Sequence, residues 1–315
     1  MNDADDDADE PERRQRAVVF AHGQLGVRCL KVLLAGGVDV ALVLTHAGDP
    51  GQDDEPVRAL CREERLRCIT TDGAASPGLL EQIRATRPDL LFSFDYRRTL
   101  SPQLLALAPA YNMHASLLPE FAGGAPIERA VLHDAVVTGA SLHELTGEPG
   151  AGAIVSQVEV PILPDDTAFD VAVKVVVAAE QTLWRVLPSL LDGSAPRLRN
   201  DAAADGGFDP RPPGDGRIDW RQPARQVYNL HRAAAPPYPG AFTDIAGVRY
   251  VIERARLSGN FGNVVALGLP AGLTVVDNCI FGVCGDGRML TISRLTADGA
   301  PITAEQLQAR LRTRP

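Results

Sequence analysis

From residue 17 onward, short runs of β-branched and aromatic residues alternate with stretches whose apolar positions recur at helical spacing. The runs AVVFAH (17–22), VDVALVLTH (38–46), RCITT (67–71), DLLFSFD (89–95) and YNMHA (111–115) predict strands, and residues 27–34, 56–64 and 77–84 predict the helices between them. Strands that are apolar almost throughout, rather than at alternate positions, must be covered on both faces. The pattern therefore predicts a doubly wound α/β domain built on a parallel sheet. Two more strand-like runs, GASLHEL (139–145) and AIVSQVEVPI (153–162), flank a Gly- and Pro-rich loop at 146–152. A long helix then starts from a capping residue at Asp166 or Thr167 and runs to near Gly193.

Periodicity fades over residues 195–216, where Pro, Gly, Asp and Arg crowd together. A helix at 225–233 and short runs at 248–256, 264–266, 273–276, 280–284 and 289–294, each bounded by turn residues, predict a small β-barrel. The expected organisation is a catalytic domain over 17–200, a linker over 201–216 and a C-terminal barrel domain over 217–315. Residues 1–16 carry seven acids and three bases and little to bury, and are expected to form a disordered acidic tail.

Charge narrows the function classes. Thirty-one Lys and Arg against forty Asp and Glu give a net charge of −9, of which −4 lies in the first sixteen residues. Broad contact with a phosphate backbone needs a cationic surface, so nucleic acid is not an expected partner. No apolar run approaches the roughly 20 residues that span a bilayer, and the acidic N-terminus does not read as a targeting segment, so no membrane partner and a cytoplasmic location are expected. Cys29, Cys61, Cys68, Cys279 and Cys284 form no CxxC pair and read as reduced thiols, with no metal site expected. HExxH, Walker A, GxSxG and GxGxxG are all absent.

In a doubly wound sheet the ligand crevice opens beyond the carboxyl ends of the strands. Asn112 and His114 stand there, two residues apart on an extended segment, so their side chains share one side. An amide can stabilise a developing oxyanion while an adjacent imidazole moves a proton. A plain structural reading, in which both side chains satisfy buried backbone groups, competes with that one. His22 and His46 end strands and are secondary candidates, whereas His133, His143 and His231 read as surface or satisfied interior groups and Trp184 and Trp220 as packing residues.

The run YNMHASLLPEFAGGAPIERAVLHDAVVTGASLHEL, with AGAIVSQ after it, resembles the folate-dependent formyltransferase family, whose hallmark is Asn-x-His-x-Ser-Leu-Leu-Pro. VVFAHGQLGVRCLKVLL, THAGDPG, FSFDYRRTL, IDWRQPA and PPYPGAF extend the likeness over nearly the whole chain, and are most similar to the sugar-nucleotide branch acting on UDP-4-amino-4-deoxy-L-arabinose. The resemblance implies 10-formyltetrahydrofolate as co-substrate and a small-molecule amine as acceptor. It implies that Asn112 donates to the oxyanion and that His114 moves the proton, with Ser116 either bracing the histidine or capping the next turn. The reduced folate would lie along Phe92, Ser93, Phe94, Asp95, Tyr96 and Arg97, held by backbone groups.

Some positions depart from the family pattern. Its catalytic Asp, two residues before the glycine of Asp-x-Gly, aligns with Gly150. Three readings follow: Glu148 swings in as a substitute base, the acceptor is a weakly basic amine such as a hydroxylamine that needs less base, or binding has outlived catalysis. Ala122, Gly123 and Gly124 stand where relatives carry arginine-containing sequence, which leaves Arg97, Arg98 and Arg129 as the cations near the expected crevice. Initiator tRNA is excluded by the acidic stretch 48–55, which holds no base.

Overall fold

The computed structural model describes residues 13–46, 56–71, 77–146, 152–200, 216–258 and 268–312. They group into two compact units, one within 1–114, 141–157 and 179–201, the other within 115–140, 158–178 and 202–315.

The first unit carries the alternating pattern. Strands β1 (Arg16–Ala21), β2 (Asp39–Thr45), β3 (Cys68–Thr70), β4 (Leu90–Phe94) and β5 (Ala110–His114) are linked through helices α1 (Gly23–Ala35), α2 (Pro56–Glu63), α3 (Pro77–Ala85) and the short α4 (Pro102–Leu105). With β6 (Val137–Glu144) and β7 (Ile154–Pro161) they form a seven-stranded sheet in the order β3-β2-β1-β4-β5-β6-β7. The chain winds outward from β1 to β3, then returns to the other side of β1 at β4, which is the topological switch of a doubly wound sheet.

Residues 17–21 of β1 are wholly buried, as strands covered on both faces require. On one face Val18, Phe20, Leu42, Leu44 and Leu91 pack with Leu79 and Ile83 of α3 and Leu104 of α4. Strands β1 to β5 are parallel, but β6 runs antiparallel to β5, so the sheet is mixed rather than uniformly parallel. Apolar periodicity cannot report strand direction, because either direction buries the same residues.

In the second unit, β8 (Ala241–Ile245), β9 (Val248–Leu257), β10 (Gly272–Val276), β11 (Cys279–Val283) and β12 (Met289–Ala297) form an antiparallel sheet in the order β10-β11-β12-β9-β8, with β13 (Ala300–Pro301) against β12. This is the strand-rich C-terminal part expected of a small barrel. The expected run at 264–266 lies outside the described residues, whereas β8, β13 and the C-terminal helix α8 (Ala304–Arg312) had no clear periodic signal. Helix α7 (Ala224–Ala234) lays Val227 and Tyr228 into the same core as Ile252, Leu290, Ile292 and Leu307.

An adjoining face of α7, bordered by the Tyr228 hydroxyl, holds chain from far upstream. Arg225 donates to both carboxylate oxygens of Asp134, 2.9 and 3.0 Å from its Nε, just beyond helix α5 (Pro126–Leu132). Arg232 is almost fully buried and donates to the carbonyl of Asp166 (3.0 Å) and to Asn229 Oδ1 (2.7 Å), while the Tyr228 hydroxyl donates to Asp165 (2.8 Å). Residues 115–140 and 158–178 thus cluster with the C-terminal sheet even though the sequence pattern runs them on from the first domain. Helix α6 (Ala168–Leu191) is the expected long helix, with Thr167 capping it by a hydroxyl that accepts from the Asp170 amide (3.2 Å).

Candidate active site

Strand β5 sorts its residues by parity. Tyr111 and Met113 are buried on the side of Phe92 and Phe94, with the Phe92 and Tyr111 rings 5.9 Å apart. Ala110, Asn112 and His114 occupy the other side. Ala110 still packs into the core of Val18, Phe20 and Leu91, but towards the carboxyl end Asn112 and His114 are half-buried. The two candidate residues therefore stand together where the apolar layer gives way.

Strand β6 supplies their neighbours. His143 lies directly opposite Asn112, and Ser141 opposite His114. Asn112 Nδ2 is 3.1 Å from His143 Nε2, and His143 Nδ1 is 2.9 Å from the carbonyl oxygen of Glu144. A carbonyl only accepts, so the ring proton sits on Nδ1 and the Nε2 lone pair accepts from the Asn112 amide. Burial pushes the His143 pKa down to about 4, with the neighbouring His114 adding to the shift, so the ring is neutral near pH 7. The His114 and His143 ring centroids are 6.4 Å apart, edge to face. The buried Ser141 hydroxyl accepts from Gln157 Nε2 at 2.8 Å. One face of the β5–β6 pair thus presents an amide, two imidazoles and a hydroxyl in a fixed register.

The segment leaving β4 borders this face. Phe92, Ser93 and Phe94 are buried in the strand, with Ser93 in register with Asn112. Asp95 turns the chain in the left-handed region (φ 56°) and is exposed, as is Arg97, while Tyr96 is buried. Backbone groups, rather than the phenylalanine side chains, are what this segment can offer a ligand, and two of those are already engaged. The carbonyl of Phe94 accepts from the His22 amide (3.0 Å), and the amide of Arg97 donates to His46 Nε2 (3.0 Å). His46 stacks on Tyr96, with centroids 4.2 Å apart and planes 16° from parallel, and hydrogen-bonds the backbone of Thr71. Burial lowers its pKa, and the nearby His22, Arg97 and Arg98 lower it further. His22 is buried beside it, with ring centroids 5.5 Å apart.

Ser116, two residues beyond His114, is buried, and its hydroxyl donates to the Glu120 carbonyl at 2.6 Å, the turn-closing contact. Arg129 Nη1 donates to the Ala122 carbonyl at 2.9 Å, so its guanidinium braces the loop after Ser116. Glu148 and Gly150 lie outside the described residues. Gly152, just after them, is a required glycine: a Cβ there would fall 1.8 Å from the Glu144 carbonyl oxygen. All five cysteines are free, and among the described residues no group of three His, Cys, Asp or Glu could hold a metal ion. Nor is any described helix long and apolar enough to cross a membrane.

Residues 15–187 match the formyl transferase family, and residues 212–312 match the formyl transferase C-terminal domain. The chain belongs to the formyl transferase family. Solved structures share its fold at low identity. WlaRD, a sugar 3N-formyl transferase solved in the presence of dTDP and 5-N-formyl-THF, is 16% identical with a TM-score of 0.69, over 89% of this chain and 97% of its own. The N-formyltransferase of Helicobacter canadensis, in complex with folinic acid and dTDP-3-aminofucose, is 16% identical with a TM-score of 0.67, over 89% and 99%. A 4-N formyltransferase from Francisella tularensis is 18% identical with a TM-score of 0.60, over 74% and 93%.

In this formyl transferase the tertiary structure adds residues to the ones legible in sequence. His143 was expected to be an inert surface or interior group; it is interior and satisfied, and one of its partners is Asn112. Ser141 and His143 repeat the i, i+2 polar spacing of Asn112 and His114 inside an otherwise apolar run, a signal that could have marked them. Of the two tryptophans expected to pack, Trp220 is buried but Trp184 is 58% exposed on α6, where it faces solvent instead of a core.

Proposed function

We propose that this protein transfers the formyl group of 10-formyltetrahydrofolate to the amine of a nucleotide-linked amino sugar. The observation that carries the reading is the pair Asn112 and His114, half-buried on one side of β5 with Asn112 Nδ2 3.1 Å from His143 Nε2. The folate co-substrate, when bound, supplies a formyl carbon activated by its attachment to N10. An Asn112 N–H donates to the formyl oxygen as negative charge grows there. His114 takes the proton the amine loses as its nitrogen bonds the formyl carbon, and delivers it to N10 as the N10–carbon bond breaks. The turn from Asp95 to Arg97, exposed at those two residues, offers the folate its binding edge. The folates and dTDP sugars of the neighbouring structures support this choice of donor and acceptor. Family matches that stop at residue 187 and resume at 212 support the division into a catalytic domain over 17–200 and a barrel domain over 217–315.

Gly150 shapes the acceptor. With no carboxylate at that position to hold a charged histidine or strip a proton from an ammonium, the site favours a weakly basic nitrogen, such as that of a hydroxylamino sugar, already neutral near pH 7. The same glycine supports a second reading, a degenerate paralogue that binds folate or nucleotide sugar without turnover.

One assay separates them. Tetrahydrofolate release is followed by absorbance with UDP- and dTDP-linked amino sugars and their hydroxylamino counterparts, for the natural protein and for Asn112→Ala, His114→Ala and Gly150→Asp. Transfer to a hydroxylamine, with kcat lowered about 100- to 1000-fold by Asn112→Ala and gained on ordinary amines by Gly150→Asp, supports the enzyme. Folate binding in calorimetry without transfer to any acceptor supports the paralogue, and absence of folate binding defeats both.

A further inference from the structure

We propose that His143 is a positioning residue that fixes which way the Asn112 amide faces, so that the second Asn112 N–H, and not its carbonyl oxygen, is offered to the formyl oxygen. This rests on the proposed role of Asn112. A primary amide is nearly symmetric in shape, and rotation by half a turn about its last bond exchanges a donor for an acceptor. An oxyanion stabiliser that presents its oxygen would repel the charge it is meant to hold, so such a site needs something that distinguishes the two orientations.

His143 does so through a chain of three groups. The Glu144 carbonyl can only accept, which places the ring proton on Nδ1 (2.9 Å). Nε2 is then a bare lone pair, buried and 3.1 Å from Asn112 Nδ2. The turned amide would set its oxygen against that lone pair and leave a buried acceptor unmatched. The orientation seen gives one N–H to Nε2, and the planar amide directs its other N–H away from the imidazole. The register enforces the geometry, since Asn112 and His143 are directly opposed across the antiparallel pair, where facing side chains are in closest reach. A second-neighbour group of this kind acts without touching the substrate.

The test uses the full-length protein. His143→Leu removes the acceptor, and kcat is expected to fall about 10- to 100-fold with the KM for 10-formyltetrahydrofolate little changed. His143→Gln, whose side-chain oxygen can accept the same N–H, should recover much of that kcat. A merely structural histidine would lower both parameters together or show no rescue by glutamine. Nitrogen NMR of histidine-labelled natural protein gives a reading independent of whether the leucine variant folds: a protonated Nδ1 and an unprotonated Nε2 on His143 are expected, and the reverse tautomer overturns the proposal. A wild-type kcat in His143→Leu while Asn112→Ala is inactive also overturns it. Full activity in Asn112→Ala would instead defeat the assigned role of Asn112, whatever His143 does.

Discussion

At Gly282 on β11, the indole of Trp220 fills the space a side chain would need. A Cβ there would lie 2.3 Å from the ring, closer than any real contact, while Trp220 packs into the core shared with Leu273, Ile280 and Ile292. Gly282→Ala must therefore displace the indole or bend the strand, at a cost of about 1–3 kcal/mol. The expected outcome is a lower melting temperature for the C-terminal unit with a red-shifted Trp220 emission, and an unchanged melt would show that the indole has room to move. The two tryptophans illustrate what a residue's identity leaves open. Both sit in stretches that read as packed, yet Trp220 meets a bare glycine on the sheet and Trp184 faces solvent, because burial depends on what the fold brings opposite. Asn112 and His114 were legible because they share one strand, and strand parity alone puts them on one side.

At the scale of elements, three strand ends are joined by one imidazole. His46, at the end of β2, is tied to the backbone of Thr71 beyond β3 and accepts from the Arg97 amide beyond β4, with Tyr96 stacked on its face. That strut holds the turn proposed to receive the folate. His46→Leu removes both hydrogen bonds, about 0.5–1.5 kcal/mol each, and the loss of the one to the Arg97 amide is expected to weaken folate affinity measured by calorimetry about two- to tenfold with kcat on saturating folate nearly unchanged. Unaltered affinity would show that the turn holds itself. Element type was readable almost throughout the first unit, since apolar runs and helical spacing are local properties. Strand order and the reversal at β6 were not, because pairing partners far apart in sequence leave no mark in either strand's own pattern.

Across the whole molecule, buried histidines make stability depend on pH. Burial holds His143, in the first unit, and His231, in the second, at about 4, against an ordinary value near 6.5. The unfolded chain takes up these protons as pH drops below about 6.5, whereas the folded chain does so only near 4. Stability is thus full above that upper value and falls as pH drops through the window, by at most about 1.4 kcal/mol per pKa unit for each ring. Below it, protonation of Asp134, whose carboxyl Arg225 holds under its ordinary pKa, removes more. Urea unfolding is expected to show lower midpoints at pH 5 than at pH 7.5, with a shallower pH dependence in His231→Gln. Equal midpoints at the two pH values would contradict the assigned burial effects.

The sequence by itself determined the alternation of strands and helices, the strand-rich C-terminal part, and the side-by-side placement of Asn112 and His114, because each follows from a repeat of two or about four residues along continuous chain. Only the tertiary structure decided that His143 faces Asn112, that His46 reaches Arg97, and that residues 115–140 and 158–178 cluster with the C-terminal sheet through Asp134, Asp165 and Asp166. Those are contacts across thirty or more residues of chain. They exist because closing such loops costs entropy that packing elsewhere offsets, a sum over the whole molecule that no local stretch records.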